Sequence, residues 1–160
     1  MIFITTGSQK FQFDRLLKAI DELVAKGSIQ EETFAQTGYS DYIPQHYAYS
    51  KFLNREEFAA RIERADIVIT HGGTGVIINA VKKRKKVLAV PRLAKFQEHV
   101  DNHQEQLLKE FDEMKLICVC YDVAEMADKL EEVRGTNYLE YKSNTANMIA
   151  DIETFLGECQ

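Results

Sequence analysis

The sequence is short of basic charge, of paired cysteines and of long apolar runs, and each shortage narrows what the chain can be. Asp and Glu outnumber Lys and Arg by 25 to 20 over 160 residues, for a formal net charge of −5. A binder of phosphate backbones normally presents a basic surface, so nucleic acid is not the expected partner. No apolar run approaches the roughly 18 residues of a membrane-spanning helix. Met1, Ile2, Phe3, Ile4 and Thr5 enter a strand directly, with neither a basic n-region nor a small-residue cleavage site, so a cytosolic protein is expected. Cys118 and Cys120 at strand spacing and Cys159 at the tail make neither a disulfide framework nor a Cys-x-x-Cys pair, and read as core-filling or incidental thiols. Repeats, linkers and low-complexity tracts are missing too. A hydrophobic content of 45% then suits one compact domain over 1–160.

The periodicity alternates between strand and helix. Strands are expected at 1–5, 33–37, 46–50, 66–70, 86–90 and 116–120. The first helix carries Leu16, Leu17, Ile20, Leu23 and Val24, with Asp14 to cap its start and Gly27 its end. Asn54 with Glu57 opens a second helix with Phe58, Ala59 and Ile62, and a third begins near Gly73. A fourth is expected over 97–111 with Val100, Leu107, Leu108 and Phe111 inward; two more are expected over 123–133 and 141–155. Strands alternating with helices of about 10–15 residues indicate βαβ units, hence an α/β fold with a mostly parallel sheet covered on both faces.

In such a sheet, ligands bind beyond the carboxyl ends of the strands. That rule selects the loops at 6–9 with Gly7 and Ser8, at 51–54 with Phe52 and Leu53, at 71–75, and at 91–102. The third stands out: His71, Gly72, Gly73, Thr74 and Gly75 follow a β-branched run and precede a helix. Glycines let backbone approach a ligand closely, and unpaired N–H groups at a helix start favour an anion such as a diphosphate. The spacing is neither the dinucleotide fingerprint nor a P-loop, which disfavours a nicotinamide-binding domain. A glycine-rich turn needed only for tight strand-to-helix packing is the competing reading.

Thr-His-Gly-Gly-Thr-Gly at 70–75, Val-Pro-Arg at 90–92 and Glu-His-Val-Asp-Asn-His-Gln at 98–104 resemble the nucleotide-sugar-binding half of family 28 glycosyltransferases. Phe-Ile-Thr-Thr-Gly-Ser-Gln-Lys-Phe-Gln-Phe-Asp-Arg-Leu at 3–16 is similar to the start of the small soluble subunit of two-part members. Those members include the dolichol-pathway N-acetylglucosaminyltransferase and bacterial capsule and exopolysaccharide β-1,4-galactosyltransferases. The resemblance implies a Rossmann-like domain equivalent to the C-terminal, donor half of a GT-B enzyme. It implies that the Phe52–Leu53 loop meets uracil through its backbone, that 71–75 holds the diphosphate, and that Gln104, with Glu105 beside it, meets the hydroxyls of the donor sugar. Asn79 stands where relatives put a glutamate on the ribose, keeping hydrogen bonds but not charge assistance. Glu105 stands in place of a second glutamine and leaves the sugar open, with galactose expected.

Since family members bind donor and acceptor between two Rossmann-like domains and this chain supplies one, a membrane-attached, acceptor-binding glycosyltransferase subunit is the expected partner, holding a lipid-linked saccharide. The chain would then sit at the cytoplasmic face of the membrane through that partner, and self-associate without it. The donor, a UDP-sugar, is a substrate, and no cofactor is expected. Inverting transfer needs a base, for which Glu98 and His99 are the candidates on this chain. His99 and His103 at helical spacing suggest a metal pair, but no third ligand or Asp-x-Asp clamp accompanies them, so the diphosphate charge falls to the helix start at 73–76 and to Arg92. His71 reads equally as a structural histidine. Lys82, Lys83, Arg84, Lys85 and Lys86 read as a solvated helix end, or as a contact with anionic lipid headgroups near the partner. The rival from another class is a regulatory or scaffolding subunit that enhances a partner transferase and binds no nucleotide.

Overall fold

Among the described residues every strand runs parallel to its neighbours. In the computed structural model, which describes residues 1–140, 150, 152–154 and 157, the elements follow as β1 (Ile2–Thr5), α1 (Asp14–Ala25), β2 (Thr33–Gln36), β3 (Ala48–Ser50), α2 (Arg55–Arg64), β4 (Ile67–Thr70), α3 (Thr74–Lys82), β5 (Lys86–Ala89), α4 (His103–Glu113), β6 (Cys118–Val119) and α5 (Met126–Gly135). The sheet order is β3-β2-β1-β4-β5-β6. The central strands β1 and β4 are buried at every residue, as continuous apolar runs should be in a sheet covered on both faces. One face carries Phe13, Leu16, Leu17 and Ile20 with Met126, Leu130 and Val133, from α1 and α5 and their approaches. The other carries Ile62, Ile77, Ile78, Leu107, Leu108 and Phe111 from α2, α3 and α4. This is the expected Rossmann-like architecture. The edge strands β3 and β6 are three and two residues long, short enough to offer little to a foreign strand.

Local signals fix several ends. Asn54 Oδ1 accepts the Glu57 N–H while the Glu57 carboxylate accepts the Asn54 N–H, a capping box opening α2. Gly27, at φ +75, ends α1: its N–H bonds the Val24 carbonyl and the Ser28 N–H bonds that of Leu23, a Schellman pair. Asp14 is not the cap of α1. Its carboxylate accepts N–H groups of Asp41 and Tyr42, fastening the loop after β2 instead.

The largest departure is at 97–102. The segment after β5 forms a short turn at Ala94–Phe96, Gln97 turns left-handed at φ +58, and α4 starts only at His103. The Glu98 side chain is drawn inside, and Val100, expected inward, is 77% exposed. The helix expected over 123–133 begins as a tighter turn at Val123–Glu125, with Asp122 accepting the Ala124 N–H, and continues as α5. The expected helix at 141–155 lies outside the described residues except for 150 and 152–154, which are helical. No helix among the described residues is long and apolar enough to cross a membrane.

Candidate functional site

Because β1 and β4 are neighbours whose following helices pack on opposite faces, a crevice opens between the turns that leave them. Thr5 and Thr70, the last residues of these strands, are paired in register, so both turns start at the same level. After Thr5 the chain bends at Gly7, φ +79, whose N–H donates to Thr5 Oγ1 at 3.2 Å, and Ser8 follows exposed. After Thr70 come His71, Gly72 and Gly73, the last being the N-cap residue of α3 with no side-chain cap.

These glycines are demanded by the side chains against them. A β-carbon on Gly73 would stand 2.6 Å from His71 Cε1, one on Gly7 would overlap His71 Nε2, and one on Gly72 would stand 2.7 Å from Gln104 Cβ. The imidazole of His71 is therefore held between the two turns with bare backbone on either side. Burial, with Arg92 and His99 adding like charge, pushes its pKa down to about 3, so the ring is neutral at physiological pH. Gly38, not singled out from sequence, joins the cluster at φ +57, where a β-carbon would stand 2.8 Å from the Gly7 carbonyl oxygen. Its only sequence signal is the turn-rich composition that follows β2.

Thr74 and Gly75 are the first residues of α3, whose leading N–H groups lack intrahelical partners. Nothing lies within 4 Å of the place a Gly75 β-carbon would take, so this turn opens outward. Asn79, half-buried, lies one turn on from Gly75 along the same face. Gln104, the second residue of α4, reaches back: Oε1 accepts N–H groups of Gly72 at 3.2 Å and Arg92 at 3.0 Å, and Nε2 lies 3.4 Å from His71 Nδ1. Glu105 beside it is half-buried in the first turn. On the far side, Phe52 is 47% exposed and meets Tyr39, 46% exposed, edge-on with ring centroids 5.2 Å apart. Leu53 N–H bonds Gln36 Oε1 at 3.0 Å, and the Phe52 carbonyl accepts from Ser50 Oγ at 3.2 Å.

Two expected roles are corrected by this geometry. Arg92 is 1% exposed, and its guanidinium donates to the carbonyls of Phe11 at 3.1 Å, Glu98 at 3.2 Å and Thr6. It pins the turn after β1 to the loop after β5 and offers no open edge to a diphosphate; its Nε is buried without a partner, as is Thr70 Oγ1. Glu98 is fully buried. Its carboxylate takes Nε and Nη2 of Arg15 at 2.8 and 2.9 Å and the Leu93 N–H at 3.0 Å, which makes it an internal anion rather than an accessible base. In the sequence Arg15 is marked only by its place on a helix and within the 3–16 motif, neither of which points to Glu98.

His99 differs from Glu98. Its ring leans on Phe11 with centroids 5.1 Å apart, and Nδ1 lies 3.3 Å from Asp101 Oδ1. Asp101, held below the ordinary carboxylate value by the His103 N–H and by both histidines, also lies 3.9 Å from His103 Nε2. Since α4 begins at His103, the two histidines do not share a helix face, and among the described residues no group of three or more His, Cys, Asp or Glu could hold a metal ion. The basic run lies at the opposite pole, at the amino end of β5. Lys83 pairs with Glu63 at 2.7 Å, Lys85 Nζ donates to the Glu63 carbonyl, and Lys86 Nζ to that of Arg134.

The chain matches the Glycosyltransferase family 28 C-terminal domain over residues 1–155. It is 26% identical, over 121 residues, to the UDP-N-acetylglucosamine transferase subunit ALG13 of Candida glabrata, covering 73% of this chain and 57% of that protein. It is 28% identical over 80 residues to the subunit of the same name from Candida albicans, covering 50% and 24% respectively. The match thus spans little more than half of one relative and a quarter of the other. Among solved structures, the solution structure of ALG13 is similar with a TM-score of 0.60 at 15% identity, covering 92% of this chain and 94% of that one. The glycotransferase of kitacinnamycin is similar with a TM-score of 0.60 at 13% identity, covering 94% and 37%. Identities this low speak for the fold alone.

Proposed function

The chain belongs to the glycosyltransferase family 28 C-terminal domain family, and on that premise we propose that it is the donor-binding subunit of an inverting glycosyltransferase. The donor is a UDP-sugar, and it lies across the crevice between β1 and β4. One observation carries this reading: at the switch point of the sheet the turns at Gly7 and at Gly72 and Gly73 close with bare backbone on the neutral His71 ring, beside a helix start that no side chain caps. Uridine extends toward Phe52 and Leu53, the ribose toward Asn79, and the sugar toward Gln104 and Glu105.

In the reaction, the acceptor hydroxyl oxygen bonds to the anomeric carbon as the bond to the diphosphate oxygen breaks. UDP leaves with its charge facing the start of α3, and the hydroxyl proton passes to a base. On this chain His99 is the candidate, oriented by Asp101. The other wall of the cleft, with the lipid-diphosphate-linked acceptor of exopolysaccharide or capsule synthesis, belongs in this proposal to a membrane-attached partner subunit at the cytoplasmic face; the word "subunit" in the names of both relatives supports the existence of a partner. Galactose is the sugar suggested by the motifs. N-acetylglucosamine is the second reading, favoured by the names of the same relatives.

The test is a transfer assay with UDP-galactose and UDP-N-acetylglucosamine, run with the chain alone, the partner alone and the two together. Turnover only in the combined sample, with one donor preferred, is the expected result. Robust turnover by the chain alone would overturn the two-subunit reading. A melting temperature unmoved by UDP or UDP-sugars, with and without partner, would favour a scaffolding subunit instead.

A further inference from the structure

The Gln104 side chain touches the turn after β4, the loop after β5 and the His71 ring at once. Its two amide ends are chemically distinguishable here. The atom facing the N–H groups of Gly72 and Arg92 must be the oxygen, because both of those groups only donate. The other end is then the NH2 group, which also only donates, so His71 Nδ1 opposite it must present a lone pair. A neutral imidazole carries one proton, which leaves it on Nε2.

We infer that Gln104 is a positioning residue that fixes His71 as the neutral Nε2–H tautomer, so that an N–H donor faces the gap between Gly7 and the start of α3. Nε2 is the ring atom that a β-carbon on Gly7 would overlap, so it points at the turn after β1. Burial holds the ring neutral, and a neutral donor can meet an anionic oxygen without the cost of a second buried cation beside Arg92. Both lone pairs of Gln104 Oε1 are occupied, so the side chain retains one N–H for any sugar contact, and its principal role is exercised through His71 and the two backbones. The functional half of the inference rests on the reading of this gap as the diphosphate site.

A long-range 1H–15N correlation spectrum of the free wild-type chain at pH 7 tests it. The expected spectrum has a pyrrole-like Nε2 and a pyridine-like Nδ1 for His71; the reverse pattern, or an average of the two, overturns the inference. Gln104→Glu keeps an acceptor for both backbone N–H groups but sets an acceptor against Nδ1, so Nδ1 should become protonated and its pyridine-like signal should vanish. A folded Gln104→Glu protein in which Nδ1 stays bare also overturns it, and if that variant does not fold, the wild-type spectrum decides alone. On adding UDP to the wild type, the Nε2 signal should shift while Nδ1 stays pyridine-like. If the tautomer is as inferred but UDP moves no resonance, the donor-site reading and the functional half fall together, while the tautomer assignment stands.

Discussion

Arg15 and Glu98, 83 residues apart, meet in a two-pronged ion pair, Nε to Oε1 at 2.8 Å and Nη2 to Oε2 at 2.9 Å, with the Glu98 side chain wholly shielded from solvent. Arg15 also donates to the Pro91 carbonyl at 3.1 Å, so the pair closes the loop after β5 onto α1. Removing one partner of a buried pair strands the other, at about 3–5 kcal/mol. Glu98→Gln and Arg15→Met should each lose stability of that order in urea titrations, and the double variant should lose clearly less than the sum. A Glu98→Gln protein of unchanged stability that has lost transfer would restore Glu98 as the base.

Stability and ligand approach separate at neighbouring glycines. Gly73→Ala drives a methyl group into the His71 ring and should cost about 1–3 kcal/mol by overpacking. Gly75→Ala meets nothing and replaces glycine within a helix, so it should gain up to about 1 kcal/mol. With a diphosphate seated on the first turn of α3, Gly75→Ala should still weaken UDP binding. Unchanged UDP affinity in this stabilised variant, read by calorimetry, would remove the first turn from the site.

The exposed ring of Phe52 holds little of the fold, so Phe52→Ala should shift stability by no more than about 0.5 kcal/mol. If uracil lies against this rim, the same change should weaken UDP about tenfold, as loss of one base–aromatic contact does. Equal UDP affinity in Phe52→Ala and wild type would mean that the base does not stack on this ring and meets the loop through backbone alone.

Acid should destabilise the protein in two stages. His71 titrates at about 3 when folded against an ordinary 6.5. Between those values the unfolded chain holds a proton that the folded chain refuses, so stability falls from near pH 6.5 downward, by at most about 1.4 kcal/mol per pH unit. Asp21 adds a later stage. Burial alone would raise its carboxyl, but the Gln45 and His46 N–H groups and the Tyr42 hydroxyl outweigh it and hold it below 3.8. Its contribution is complete above that value and lost as pH falls through the lower, folded one. Melting temperatures from pH 8 to 3 should therefore decline before the carboxylates protonate, and His71→Gln should remove the early decline. A flat profile from pH 7 to 5 in the wild type would mean that His71 is not held neutral.

The elements that were legible in the sequence are those governed by neighbours along the chain. Asn54 and Glu57 announce the start of α2 because a capping box is complete within four residues, and Gly27 announces the end of α1 because only its own φ is at issue. The β-branched runs of β1 and β4 declare a doubly covered sheet by composition, and the glycines at 72, 73 and 75 declare a close approach. By the same token, α4 starts at His103 rather than at 97, where the sequence predicts it. Apolar spacing from Val100 to Phe111 fits one helix, and nothing local signals that Glu98 would be pulled inward by an arginine on α1.

What the sequence by itself determined is the class of fold, the carboxyl edge of the sheet as the place for a ligand, and a glycine turn suited to an anion, since each follows from short-range sterics and periodicity. Only the tertiary structure decided how the polar side chains at that edge are used. Arg92 binds three carbonyls, Glu98 answers Arg15, and Gln104 faces Gly72, Arg92 and His71, all because buried polar groups must find partners wherever packing brings backbone within reach. Those partners lie up to 86 residues away along the chain, beyond any spacing that a sequence pattern records.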